Sequence, residues 1–352
     1  MDVKLGVALH WPVDLSFEGL VDLIREIETL GYDQIWVSNE KFYWDMNAVA
    51  AVVAQNTRKV DIGTFISDPY SVHPILTAMF IGTLDKISAG RAILGIGAGG
   101  TGFPVMGIQR TKPAQAIKEA VTAIRGLLHG ETVDLQGQVI QVNHGHLHIK
   151  PRPDIPIIVA TRGNQVLRTA GEVGDGVMVS TYAEPTGIRY ALSEVAKGAE
   201  VAHRRLSDLT LISRVDACIS EDRRAAIDAV KGMLGISLWT SYPDRTFVHA
   251  VGLQVPEELE RVIAQRDYNL MALNTHLIPD TFVEKFCWAG TADEVAQKVG
   301  EVVRMGIDNI TFLPHAPLGG SIHDTIRAFA RVVRPMVAEM TASEANPSST
   351  IL

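Results

Sequence analysis

Short apolar runs alternate with longer amphipathic ones along nearly the whole chain. The apolar runs fall at residues 4–9, 34–38, 60–66, 92–97, 155–160, 176–180, 210–217 and 308–313. Most are continuously apolar, the pattern of parallel strands covered on both faces. Between them lie helical patterns at 17–30, 47–55, 73–87, 113–129, 165–173, 185–205, 221–234, 291–305 and 321–340. In the first, Leu20, Leu23, Ile24, Ile27 and Leu30 form one stripe, and Gly31 suits the position just past the helix end. Thr291 with Glu294 fits a capping box.

Eight strands alternating with helices predict a TIM (β/α) eight-stranded barrel, a fold of typically about 250 residues. An open doubly wound sheet would show the same alternation, and the count of eight favours the barrel. The chain has 352 residues, and two segments absorb the surplus. Residues 130–154 contain VDLQGQVIQV, a hairpin signal with Gly137 at its turn, and residues 235–290 form a long aromatic and Pro-bearing insertion. The expectation is one barrel domain over 1–340 and a frayed polar tail over 341–352.

Composition narrows the function classes. Thirty-two Lys and Arg against 40 Asp and Glu leave a formal charge of −8, without the basic clusters that nucleic acid requires. Two cysteines, Cys218 and Cys287, make neither a disulfide framework nor a zinc site unaided. Residues 92–109 carry no charge, yet their six glycines and Pro104 suit a buried strand and loop, not a membrane helix. No charged segment precedes an apolar one at Met1, so a cytoplasmic location without membrane contact is expected.

Gly95-Ile96-Gly97-Ala98-Gly99-Gly100 satisfies G-x-G-x-x-G after a strand, but no helix opens there and no acidic residue follows at the ribose position. Such glycines could instead bring backbone close to a flat cofactor, or adopt positive φ. The third strand ends in Gly63–Asp68, where strand character meets Ser-Asp-Pro turn chemistry. The second ends in Ser38-Asn39-Glu40-Lys41-Phe42-Tyr43-Trp44, polar groups beside aromatics that suit a planar ligand or a solvated rim. After the fifth, Thr161, Arg162, Gly163 and Asn164 precede a helix as an anion cradle would, although helix capping explains Asn164 alone. Ser180 and Thr181 follow the sixth strand. His10 and His276 are the histidines to watch, and His144, His146 and His148 share one strand face without a carboxylate or thiol partner, so no metal site is expected.

These residues resemble a known family. ISAGRAILGIGAG, IPIIVATRGNQVLRTAGEVGDGVMVS, the GETVDLQGQVIQV hairpin and WAGTADEVAQKV are similar, in order, to motifs of the luciferase-like flavin and deazaflavin oxidoreductases. Within that superfamily IGTFISDPYSVHPILTAMFIGTLDKISAGRA most resembles the methylenetetrahydromethanopterin reductase branch, which uses the 5-deazaflavin coenzyme F-420. The resemblance implies a non-prolyl cis peptide between Phe65 and Ile66 behind the deazaflavin ring. It implies ring support by Phe65, Ile66, Ser67 and Asp68 with Gly97 nearby, edge contact by Asn39, and phosphate binding by Thr161, Arg162, Gly163, Asn164, Ser180 and Thr181. Trp44 would form a substrate-pocket wall. The family's second strand often ends in Ser/Thr-Asp-His, and Asn39-Glu40 departs from it. Glu40 and His10 become the proton-transfer candidates, with His276 third; desolvation in an aromatic pocket would suit Glu40 to acid work. The implied activity is hydride transfer between reduced F-420 and a small organic substrate bearing C=N, C=C or C=O, in a homodimer or larger homo-oligomer. The alternatives are an FMN-dependent monooxygenase using O2 and a catalytically silent flavin-binding barrel.

Overall fold

The computed structural model describes residues 3–10, 15–100 and 102–345. Its strands are β1 (Lys4–Leu9), β2 (Gln34–Ser38), β3 (Asp61–Phe65), β4 (Ala92–Ile96), β5 (Val133–Gln136), β6 (Gln141–Gly145), β7 (Ile157–Thr161), β8 (Gly176–Ser180), β9 (Thr210–Ile219), β10 (Cys287–Gly290) and β11 (Asn309–Pro314). The main sheet runs β10-β9-β11-β1-β2-β3-β4-β7-β8, with β9 also bonded to β8, which closes the series. The registers β1–β11, β2–β3, β3–β4, β4–β7, β9–β11 and β9–β10 are all parallel. This is a TIM barrel, with β10 added to the eight expected strands.

β10 lies inside the segment read as an insertion, and its residues Cys287–Gly290 pair with Asp216–Ile219 of β9. Four residues, CWAG, are too few to show a period. The insertion also begins later than expected, because helix Arg223–Ser241 runs straight through Gly235. A Cβ at Gly235 would stand 2.9 Å from Met271 Cε and 3.2 Å from Ile278 Cδ1, so close packing explains a glycine inside the helix. Helices Thr246–His249, Glu257–Ala264, Tyr268–Leu273 and Asp280–Phe286 fill the rest.

Other local expectations hold. Helix Phe17–Thr29 is capped by Ser16 and followed by Gly31 at φ 79°, and Thr291 with Glu294 forms the capping box. β5 and β6 pair antiparallel, with the Gly137 amide donating to the Ile140 carbonyl at 2.9 Å. The final helix, Arg334–Ala345, follows a π segment and takes up residues 341–345 of the expected tail; residues 346–352 lie outside the described residues. No helix among the described residues is long and apolar enough to cross a membrane.

The chain divides into two compact units. One comprises Ala8–Met178 and Leu192–Thr210; the other comprises Met1–Val7, Val179–Ala191 and Leu211–Leu352. They are called the N-terminal and C-terminal units below.

Candidate active site

In a TIM barrel the loops after the strands' C-terminal ends carry the chemistry. In the N-terminal unit β3 gives way to a bulge, and the Phe65–Ile66 peptide is cis. The Asn39 backbone amide donates to the Phe65 carbonyl at 2.7 Å, and its side-chain amide donates to the Ile66 carbonyl at 2.9 Å. The Ser67 amide donates to Gly95 O at 2.9 Å, and Gly97 donates to Ser67 O at 3.0 Å. The bulge is therefore bound on both edges, by the end of β2 and by β4.

Below it lies a charged knot. Asp68 is 2% exposed; its Oδ1 accepts from the Tyr70 and Ser71 amides and its Oδ2 from the Ser71 hydroxyl. Lys41 Nζ reaches Asp68 Oδ2 at 3.3 Å, Asn39 Oδ1 at 3.3 Å and Ser71 Oγ at 2.9 Å. The Asn39 side chain is thus engaged at both its nitrogen and its oxygen.

The glycines of the G-x-G-x-x-G stretch have two separate reasons. A Cβ at Gly95 would collide with the Thr64 carbonyl, and at Gly97 with Ile66 Cδ1 and, at 2.7 Å, Ala160 O. Those spaces are filled by protein, not left beside a cofactor. Gly99 and Gly100 have φ of 59° and 148°, which only glycine takes readily.

Glu40 and His10 meet. His10 Nε2 stands 3.9 Å from Glu40 Oε2, and both side chains are about a quarter exposed or less, at 25% and 22%. The expected apolar pocket around Glu40 is instead an imidazole partner, with Tyr43 edge-on to the His10 ring at 6.0 Å. Trp44 is 38% exposed and rests on Phe17, 5.8 Å between ring centres, so it sits at a rim.

β7 ends at Thr161, whose hydroxyl accepts from the Gly163 amide at 3.2 Å. Gly163 is the N-cap of helix Asn164–Val173, offers no side-chain cap, and has open space where a Cβ would stand. Asn164 is the first helical residue and not the cap; its Oδ1 accepts from Gln165 N at 2.7 Å. Capping by Asn164 therefore does not account for this turn. The helix start, with Arg162 half-buried beside it, keeps the features of an anion cradle.

In the C-terminal unit Ser180 ends β8 and is buried. Thr181, 1% exposed, has φ 80°, a conformation β-branched residues rarely hold. Its amide donates to the Arg214 carbonyl at 2.8 Å, and its buried hydroxyl has no hydrogen-bond partner among the described residues. His276 is exposed on a short 3-10 turn, Thr275–Leu277.

The same unit holds a group that sequence reasoning passed over. Asp216, 1% exposed on β9, accepts from Arg214 at 3.4 Å and lies 3.0 Å from Nε2 of His315, just past β11. The register sets Leu313 beside Asp216 and Thr311 beside Arg214. Two charges at 214 and 216 within a buried strand were the available signal, because such charges persist only when paired. His144, by contrast, pairs with Asp134 at 2.8 Å on the exposed hairpin.

The luciferase-like monooxygenase family model matches residues 4–309. The chain belongs to that family. Among its relatives, a 5,10-methylenetetrahydromethanopterin reductase from Methanolobus tindarius is 29% identical over 309 residues, covering 87% of this chain and 92% of the relative. One from Archaeoglobus fulgidus is 27% identical over 95% of this chain and 99% of its own. The solved coenzyme F-420 dependent tetrahydromethanopterin reductase from Methanopyrus kandleri superposes with a TM-score of 0.81 at 27% identity, covering 95% of this chain and 99% of that one. An F-420-dependent secondary alcohol dehydrogenase, at 20% identity and a TM-score of 0.79, shares the fold. In this luciferase-like chain the Asn39-Glu40 departure thus has a visible local setting: one residue ties down the bulge, the other faces His10.

Proposed function

We propose that this chain is an oxidoreductase that uses coenzyme F-420 to move a hydride to or from a small organic substrate bearing C=N, C=C or C=O. Near-full-length likeness to F-420-dependent reductases carries this reading, at 27% identity over 95% of the chain. The residues present fit the cofactor's chemistry. A phosphate-bearing group suits the open turn at Thr161, Arg162, Gly163 and Asn164.

When bound, the reduced deazaflavin supplies the hydride. The chain's own residues do the rest. Phe65, Ile66, Ser67 and Asp68 form a rigid backing for a flat ring, fastened by Asn39. Glu40 and His10, with Oε2 and Nε2 3.9 Å apart, are placed to supply the proton to the substrate atom that gains the electron pair, and a proton passes between them only through a bridging water. His276, exposed on its 3-10 turn, stays the third candidate for that role.

The test is anaerobic mixing of the protein and reduced F-420 with 5,10-methylenetetrahydromethanopterin or acetone, following return of the oxidised deazaflavin. Enzyme-dependent oxidation with either acceptor supports the reading. Consumption of O2 with reduced FMN, and none of reduced F-420, makes the protein a monooxygenase instead.

A further inference from the structure

We infer that Lys41 is a positioning residue for the cofactor, acting through Asn39, and that it is the reason an amide stands where the family often has a carboxylate. The inference rests on the F-420 reading above. The Ile66 carbonyl needs a donor, and Asn39 Nδ2 supplies it at 2.9 Å. A carboxylate at 39 is an acceptor only and would face that carbonyl with like polarity. The amide then has an oxygen to satisfy, and Lys41 Nζ donates to it at 3.3 Å. That donation decides which way the amide points: with the ammonium at the oxygen, the NH2 must face Ile66.

Lys41 is itself held. Its side chain is 15% exposed, and its ammonium bridges to Asp68 Oδ2 and Ser71 Oγ. Asp68 is further pinned by two backbone amides and a hydroxyl, so the cation has a fixed anchor. The neighbouring loop leaves room for this arrangement. A Cβ at Gly102 would stand 2.7 Å from Lys41 Cβ, and one at Gly99 would stand 3.1 Å from Asp68 Cβ. The chain Asp68–Lys41–Asn39–Ile66 therefore connects a buried charge to the carbonyl of the bulge. Each link requires the donor or acceptor type that the sequence supplies.

The experiment is an F-420 titration, read by cofactor fluorescence, on the wild type, Lys41→Met, Lys41→Arg, Asn39→Asp and the Asn39→Asp/Lys41→Met double variant. Lys41→Met and Asn39→Asp each weaken binding about tenfold, and Lys41→Arg restores it to within about threefold. The double variant binds no more weakly than Asn39→Asp alone, since both changes break one chain of contacts. A general structural role would give no rescue by Arg and effects that multiply. Binding by Lys41→Met within twofold of the wild type overturns the inference. Should the wild type not bind F-420, the cofactor reading fails separately. Amide exchange then decides the Lys41 inference: faster exchange at Asn39 and Ser67 in Lys41→Met supports it, and unchanged exchange overturns it.

Discussion

The indole of Trp36 occupies the space that a side chain at Gly63 would need. Trp36 and Gly63 are partners in the β2–β3 register, the ring is fully buried, and a Cβ at Gly63 would collide with its six-membered edge. The same ring reaches Gly95, whose Cβ would stand 3.1 Å from Cζ3. Two glycines on adjacent strands thus make room for one large side chain, and the bulge at Phe65–Ile66 follows immediately. Gly63→Ala should lower stability by about 1–3 kcal/mol, the ordinary cost of overpacking a filled core. Urea unfolding checks this, and an unchanged midpoint would show that Trp36 has space to move.

Glu40 and His10 form the proton-handling pair proposed here, at 3.9 Å. Glu40→Gln keeps the shape and removes the exchangeable proton. Turnover should fall roughly 10²-fold, the lower end of general acid–base contributions. F-420 affinity should change less than twofold. Steady-state kinetics beside a titration separates the two, and unaltered turnover would remove Glu40 from the mechanism.

Asp216 compensates a buried Arg214 and holds His315. Asp216→Asn removes the carboxylate that faces the buried Arg214 guanidinium, and breaking such a pair should destabilise the protein by about 3–5 kcal/mol. His315→Asn leaves the ion pair intact and should cost far less. Thermal unfolding of the two variants compares them directly, and equal losses would mean that the histidine contact carries the site.

Glu119 sits under the hairpin turn. The residue is 4% exposed, and its carboxylate accepts from the amides of Gln138, Val139 and Ile140 at 2.7–2.9 Å and from Gln115 Nε2 at 2.7 Å. Burial raises its pKa, but the hydrogen bonds from Gln115, Ile140, Val139 and Gln138 outweigh that and hold it below the ordinary value of 4.5. A pKa lowered by folding adds stability above the unfolded value, lost as pH falls through the folded one. Glu119→Gln should therefore cost about 1–3 kcal/mol near neutrality and less as the solution is acidified below the ordinary carboxylate range. Urea midpoints at several pH values test this; a gap that widens in acid would contradict it.

The barrel was legible because its strands are continuously apolar and its helices are amphipathic, two periods that local sequence states directly. β1, β2 and β8 match their expected limits residue for residue. The end of the helical pattern at 234 falls short for the opposite reason: Gly235 is packed by Met271 and Ile278, which come from distant parts of the chain. The site divides the same way. The turn before Asn164 is visible in local sequence, whereas the Phe65–Ile66 cis bond is implied by the family resemblance alone. Lys41 and the Asp216–His315 contact show in neither, because a lysine in a polar loop and a histidine after a strand look ordinary until Ser71, Asn39 and Arg214 stand beside them. Asn39 shows the limit most clearly: its amide departs visibly from the family pattern, but the carbonyl it bonds lies 27 residues away.

Paired titrations of the protein with F-420 and with FMN test the central claim most directly. F-420 should bind at least tenfold more tightly than FMN if the proposed cofactor reading holds. Tight FMN binding with no measurable F-420 binding would contradict the account.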